Sequence, residues 1–334
     1  DVCSSDLHID ELGIGPRECI LQLASPSFDV AVCEIMMALL SGATLLLAPR
    51  EALLPGPELV ALLAAQRVTL MAITPSTLTV LPAAELPELR TLIVGGEPLP
   101  MELVARWGAS APNRRLYNAY GPTEGTICAT LAHCWVNDGP PSIGRPLKNT
   151  EIYVLDGQKQ LVPVGITGEI FIGGAGLARG YLGRPELTAE HFIKDPFAKD
   201  PQARLYRTGD LGRWRPDGQL EFVGRRDNQV KIRGFRIELG EIEAVLSGLP
   251  GVREAAVIAR TDRNERLLIA YIVPDDPAPS VITLRAELAE TLPQHMVPMA
   301  IVPLPELPRT PNGKTDRQAL AQSLLRLTPA AQAE

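Results

Sequence analysis

The sequence holds no paired-cysteine motif, no long apolar run and no basic excess, and each absence removes a class of protein. Its five cysteines (Cys3, Cys19, Cys33, Cys128 and Cys134) contain no CxxC pair and are odd in number. They do not read as a disulfide framework, and a reduced, cytoplasmic setting is the expectation. His133 and Cys134 are adjacent, which is poor spacing for two ligands of one metal, and no second cluster supports them. The longest apolar stretch, near Ala38 to Ala48, is broken by Ser41-Gly42 and falls short of the ~18 residues a spanning helix needs, so no membrane is expected. A net charge of −7, from 32 basic and 39 acidic residues, offers no basic face for nucleic acid. The start shows no basic-then-apolar leader pattern, and no internal repeat is visible.

What is present suits two domains. The 334 residues are enough for two cores, and the hydrophobic fraction of 46% is that of a globular chain. Residues 30–41 read as a buried helix ended by Gly42, and Ala43 to Ala48 as a buried strand stopped by Pro49. A second helix runs from Pro57 to Gln66, with Leu59, Leu62 and Leu63 on one stripe. Val68 to Ile73 and Thr91 to Val94 have strand length. Strands alternating with helices predict a mostly parallel sheet covered on both faces. From Pro140 to Val223 the strands shorten and glycine punctuates them, which predicts an antiparallel, barrel-like segment with a hairpin turn at Asp217-Gly218. After Asp227 comes a small α+β unit: helix Glu238 to Leu249, strands Ala255–Ala259 and Leu267–Val273, and a helix marked by Leu284, Leu288 and Leu292. The tail from Thr328 is expected to fray.

The chemistry lies in a series of short runs: Asn118-Ala119-Tyr120-Gly121-Pro122-Thr123-Glu124; Gly168-Glu169-Ile170 leading into Gly173 to Tyr181; Tyr206-Arg207-Thr208-Gly209-Asp210-Leu211; Gly224 to Gly234; and Asn312-Gly313-Lys314. Taken singly, each has a plain structural reading. Tyr120, presented in a Gly-Pro-bounded loop, could pack on its own domain. Glu124 could be a solvated charge, Asp210 an Asx turn, Asp227 a linker charge and Lys314 part of a surface turn. Gly174-x-Gly176-x-x-x-Gly180 comes close to a dinucleotide fingerprint, but its spacing is wrong and no acidic residue follows where one is needed. The glycines read instead as permitting tight strand turns.

In this order the runs resemble one family, the adenylation domains of nonribosomal peptide synthetases, within the superfamily that includes acyl-CoA ligases and firefly luciferase. The resemblance covers about Leu12 to Leu320. It implies an α/β, multi-subdomain adenylate-forming fold: a mostly parallel sheet with helices, a small barrel-like β segment, then a small C-terminal α+β domain. The implied division is 1–11 as a non-native or disordered start, 12–226 as the C-terminal part of the large AMP-binding domain, 227–325 as a small mobile domain, and 326–334 as a tail. By the same resemblance Tyr120 stacks on adenine, Thr123 meets a phosphate, Glu124 binds Mg²⁺, Asp210 accepts the ribose hydroxyls and Arg225 reaches the nucleotide of ATP. Lys314 is the catalytic cation at the substrate carboxylate and α-phosphate, and Asp227 is the hinge. The run from Gln229 to Glu243 resembles peptide synthetases more than acyl-CoA ligases. A Ser/Thr/Gly-rich phosphate loop and a carrier Gly-Gly-x-Ser motif are missing, and Asp1 to Leu7 reads like a translated sequencing adapter. The expectation is an internal fragment of a longer synthetase.

The resemblance also implies a substrate pocket of Asp29, Val30, Cys33, Ala72, Ile93, Gly95, Ala119, Ile127, Cys128 and Lys314, with Asp29 for the α-ammonium group and Lys314 for the carboxylate. The remaining lining is uncharged, so charged side chains are excluded by uncompensated desolvation, and a medium or large apolar or aromatic amino acid is expected. The implied activity is formation of aminoacyl-AMP and pyrophosphate, then transfer to phosphopantetheine on a carrier domain, beside a condensation domain. The alternatives are an acyl- or aryl-CoA ligase, for which Asp29 has no partner, and a non-catalytic remnant.

Overall fold

The computed structural model describes residues 2–82, 84–108, 113–136, 139–226, 229–232, 234–262, 265–310 and 315–323. It separates into two compact units, Asp1–Asp227 and Asn228–Glu334.

The first unit opens with helix α1 (Val2–Leu12), strand β1 (Cys19–Leu21), helix α2 (Asp29–Ser41) and strand β2 (Thr44–Leu46). Next come α3 (Pro57–Ala65), β3 (Leu70–Ile73), α4 (Pro75–Val80), β4 (Thr91–Gly95), α5 (Met101–Gly108), β5 (Arg115–Tyr120), β6 (Thr130–His133) and β7 (Arg145–Pro146). These strands form one seven-stranded sheet in the order β2-β1-β3-β4-β5-β6-β7. It is parallel from β2 to β5, and β6 and β7 join antiparallel.

Strand side chains alternate between faces, and here both faces are apolar. Met71, Ile73, Leu92, Val94 and Leu116 point to a core built with Leu59 and Leu63 of α3, Leu78 of α4 and Trp107 of α5. Their neighbours Leu70, Ala72, Ile93, Tyr117 and Ala119 point the other way, to a cluster completed by Leu12 of α1 and by Cys33, Met37 and Ala38 of α2. The continuous apolar runs of the sequence are the signature of this two-sided burial.

Gly42 ends α2 in the left-handed conformation, φ 71°, with its N–H donating to the Ala38 carbonyl. One expectation is corrected. Ala43 to Ala48 is not a buried strand, because β2 is the edge of the sheet and Leu47 beyond it is 68% exposed. Within the stretch expected to be a non-native or disordered start, helix α1 begins at Val2; its Leu12 is fully buried and its Ile9 packs against the same cluster.

The unit continues with β8 (Thr150–Leu155), β9 (Gly168–Gly174), α6 (Pro185–His191), β10 (Phe192–Lys194), β11 (Arg204–Trp214) and β12 (Leu220–Arg225). These strands pair antiparallel in the order β10-β11-β9-β8, with β12 also on β11. The β11–β12 hairpin turns at Asp217-Gly218, where Gly218 takes φ 78°.

The second unit holds β13 (Val230–Ile232), β14 (Phe235–Ile237), α7 (Leu239–Gly248), β15 (Val252–Asp262), β16 (Glu265–Pro274), α8 (Val281–Thr291), β17 (Ala300–Pro303) and α9 (Arg317–Ser323). Its core packs Ile242 and Leu246 of α7 and Leu284 and Leu288 of α8 on Val257, Ala270 and Ile272 of the β15-β16-β17 sheet. Among the described residues no helix is long and apolar enough to cross a membrane.

Trp107 is 2% exposed in the α3–α5 core, with the Arg114 guanidinium 5.7 Å from its ring. Trp107→Ala is expected to cost about 3–5 kcal/mol of unfolding free energy, read from denaturant unfolding of the first unit.

Candidate active site

The pocket expected from the sequence gathers on the α1–α2 side of the parallel sheet. Asp29 opens α2, half-buried, and Cys33 and Met37 follow at i+4 and i+8, so the three share the inward face. Cys33, Ala72, Ile93, Ala119 and Ile127 are buried in one cluster, and Val30 and Cys128 pack against it. Gly95 pairs with Ala119 across β4 and β5, and a Cβ there would lie 2.7 Å from the Ala119 carbonyl oxygen, so no larger residue fits this spot. Burial pushes the Cys33 thiol up, and Cys128, Glu34 and Asp29 push the same way. The thiol stays neutral, and among the described residues of the expected lining Asp29 alone is an acidic or basic residue. Lys314, the remaining expected member, and Asp227, the expected hinge, lie outside the described residues.

A second group of residues meets where the parallel sheet faces the antiparallel one. Tyr120 is not presented in a loop. It is the last residue of β5, 8% exposed, because the Gly-Pro turn begins only after it. Its hydroxyl donates to Asp210 Oδ2 at 2.6 Å. Nor is Asp210 in an Asx turn: it lies within β11, in a bulge where the pairing with β9 shifts between Arg207 and Leu211. Gly209 at φ 74° makes the bulge possible. Thr208 fixes it, donating to the Ile170 carbonyl at 2.7 Å and accepting from the Asp210 N–H at 2.9 Å. Arg225, opposite Asp210 on β12, donates through Nη1 to Asp210 Oδ1 at 2.5 Å and through Nη2 to the Thr208 carbonyl at 3.1 Å. Burial first, then the Asp210 charge, pushes the Tyr120 hydroxyl well above its ordinary range, so it remains a donor. Each oxygen of the Asp210 carboxylate keeps a further acceptor site, since a carboxylate offers about four.

Glu124 is buried in the short 3₁₀ turn Thr123–Gly125, not solvated, and accepts the Tyr181 hydroxyl at 2.6 Å. Thr123, beside it, is exposed. The glycine-rich segment after β9 closes over this turn. Ala178 N–H donates to the Glu124 carbonyl at 2.8 Å, Thr126 Oγ1 donates to the Gly176 carbonyl, and a Cβ on Gly176 would sit 3.2 Å from the Gly125 oxygen. The chain then reverses through Thr126 and Ile127, at φ 61° and 70°. Two successive β-branched residues in the left-handed region are costly, on the order of 1–3 kcal/mol each. The reversal drops Ile127 into the pocket and brings the returning chain against Gly121, where a Cβ would lie 2.5 Å from the Ile127 oxygen and 2.7 Å from the Ala129 nitrogen.

The model of the AMP-binding enzyme family matches residues 2–182, and that of the AMP-binding enzyme C-terminal domain matches residues 241–314. The chain belongs to the AMP-binding enzyme family. It is 54% identical to a linear gramicidin synthase of Brevibacillus parabrevis over 314 residues, 93% of this chain and 6% of that protein. The adenylation domain AlmE of Vibrio cholerae, solved with glycyl-adenosine-5'-phosphate, superposes with a TM-score of 0.86 at 26% identity, over 97% of this chain and 62% of that one. PA1221, an NRPS protein containing adenylation and PCP domains and solved with a vinylsulfonamide inhibitor, gives 0.79 at 31% identity over 94% and 55%. The chain thus spans a small part of the gramicidin synthase and a little over half of the solved neighbours. Its place in the family is with the adenylation domains of nonribosomal peptide synthetases, as the motif order implies, and the fold is the adenylate-forming one.

Three residues that the motifs left without a role hold this arrangement together. Thr208 was readable only as part of Thr-Gly-Asp, and Tyr181 as the end of a glycine run. Glu34 looked like one charge in a hydrophobic helix, yet it is 0% exposed. It accepts from the Ala24 N–H at 3.1 Å and from Gln22 Nε2 at 3.4 Å. Burial raises its carboxyl from 4.5 to about 7, against the lowering effect of bonds from Ala24, Leu23 and Gln22.

Two outcomes are expected. Tyr120→Phe removes a donor from a buried carboxylate and lowers unfolding free energy by about 1–3 kcal/mol, read by thermal or denaturant unfolding. For Glu34, the folded state holds the proton to higher pH than the unfolded chain does. Its contribution therefore favours folding below pH 4.5 and is lost as pH rises to about 7, a change on the order of 3 kcal/mol. Stability measured across that window should lose this slope in Glu34→Gln.

Proposed function

We propose that this domain activates an uncharged apolar or aromatic α-amino acid with ATP and passes the aminoacyl group to phosphopantetheine on a carrier domain. The observation that carries the reading is the uncharged cluster with one carboxylate beside it: Asp29 at the start of α2, and Val30, Cys33, Ala72, Ile93, Ala119, Ile127 and Cys128 packed together. A carboxylate beside an apolar lining suits an α-ammonium group with an apolar side chain. A charged side chain would lose its hydration there without compensation.

The second group of residues supports the nucleotide end. Asp210, held by Tyr120 and Arg225, offers its remaining acceptor sites to the ribose hydroxyls, and Arg225 offers positive charge to the nucleotide. By the motif resemblance Tyr120 would stack on adenine, although its ring is 8% exposed. Thr123 is exposed and can donate to a phosphate. Glu124, an oxygen donor on a tight turn, suits Mg²⁺, which when bound neutralises phosphate charge. Lys314 would stabilise charge between the amino-acid carboxylate and the α-phosphate. The carboxylate oxygen attacks the α-phosphorus, the bond to the bridging oxygen breaks, and pyrophosphate leaves. Asp227 would then serve as the hinge that exchanges this step for thioester formation. A condensation domain is the expected neighbour.

The test is amino-acid-dependent ATP–pyrophosphate exchange by the full-length polypeptide that carries this sequence. Exchange is expected with an apolar or aromatic amino acid and not with Asp, Glu, Lys or Arg. Asp29→Ala should lower it about a hundredfold or more. Activity with a carboxylic acid lacking an amine, indifferent to Asp29→Ala, would move the protein to the acyl- or aryl-CoA ligases. Inactivity with every acid would leave a carrier-docking remnant.

A further inference from the structure

Asp29 stands at the middle of a closed loop of chain. Five residues after it, Glu34 reaches back along α2 to the residue five before it. Both carboxylate oxygens accept from Ala24 N–H, Oε1 at 3.3 Å and Oε2 at 3.1 Å. Gln22 Nε2 donates to the same Oε2 at 3.4 Å and also to the Ala24 carbonyl. Between these ends the connection turns tightly, with Phe28 N–H donating to the Ser25 carbonyl at 2.9 Å and Ala31 N–H to the Phe28 carbonyl at 3.2 Å.

The helix start has no side-chain cap hydrogen bond. Phe28, at the N-cap, is extended (φ −105°, ψ 145°) and supplies no side-chain cap. Capping usually fixes how a chain enters a helix. Here that task falls to a carboxylate from the second turn, at 0% exposure. A buried carboxylate has a high desolvation cost, and a Leu or Met at this place would bury more cheaply. The carboxyl group stands where it tethers the segment that carries Asp29.

We propose that Glu34 is a positioning residue for amino-acid recognition, fixing the entry of α2 so that Asp29 is held for the substrate α-ammonium group. This rests on the proposed amino-acid activation. Glu34 does not touch the substrate. It acts on the ground-state grip of the amino group, which is bound alike before and during the reaction, so its loss appears in KM for the amino acid and not in the nucleotide.

The experiment is ATP–pyrophosphate exchange by the full-length polypeptide, with KM for the best amino acid and for ATP measured separately. Glu34→Ala, Glu34→Asp and Glu34→Gln are compared with the parent. Glu34→Ala removes the tether, and KM for the amino acid should rise about tenfold or more, with KM for ATP changing less than about twofold. Glu34→Asp keeps the charge but loses reach, and should stand between. Glu34→Gln keeps the reach and one acceptor, and should show the smallest rise of the three. If Glu34→Ala does not fold, the ordering of the Asp and Gln variants decides. A merely structural carboxylate would reduce stability and active fraction while leaving the amino-acid KM at the parent value. That result, or equal increases in both KM values, overturns the inference with amino-acid activation intact. A parent that exchanges with no amino acid removes the activity on which the inference rests.

Discussion

The constraint on which the first unit depends is the double burial of its parallel sheet. Strands β3, β4 and β5 have no solvated face, so every residue along them must satisfy one of two cores. Met71, Ile73, Leu92, Val94 and Leu116 answer to helices α3 to α5. Ala72, Ile93 and Ala119 answer to the cluster beside α2. The candidate pocket therefore lies on the face of the sheet opposite the α3–α5 core, where Ala72 and Ala119 stand among Leu70, Ile93 and Tyr117.

Charge follows the same division. Around the apolar space the Cys33 thiol stays neutral and a single carboxylate opens α2. At the junction of the two sheets, carboxylates are held by named donors: Asp210 by Tyr120 and Arg225, Glu124 by Tyr181. Glu169, 6% exposed, is gripped by Arg207 at 2.8 Å and Arg226 at 3.0 Å, on either side of the bulge that carries Asp210. Buried carboxylates without such partners would be strongly destabilising.

Much of this was legible in the sequence, for reasons that differ by element. Helix α2 could be read to its last residue because Gly42 supplies the left-handed cap. The α7 helix was marked by Ile242, Val245, Leu246 and Leu249, and the β11–β12 turn by Asp217-Gly218. The runs around Tyr120, Asp210 and Arg225 identified the residues that meet. Their setting was not legible. Nothing local in Arg115 to Tyr120 distinguishes the end of a strand from a loop, and Thr208-Gly209-Asp210 reads equally as a turn or as a bulge in an eleven-residue strand. The burial of Glu34 escaped because its partners lie in backbone ten residues earlier, which no periodicity reports. Strand β2 misled in the opposite sense, since Leu45, Leu46 and Leu47 look like core but lie at an edge.

The hydrogen bond from Tyr120 to Asp210 joins a strand of the parallel sheet to a strand of the antiparallel one. It spans 90 positions of sequence in one contact. A ligand that takes up the open acceptor sites of Asp210 and rests on Tyr120 would bear on both sheets at once and act as a fastener between them. Occupancy and cohesion would then be linked quantities: a ligand at a hundred times its Kd adds about 2.7 kcal/mol to the unit that holds it. The melting temperature of the unit would therefore register what occupies this junction, even when no reaction follows.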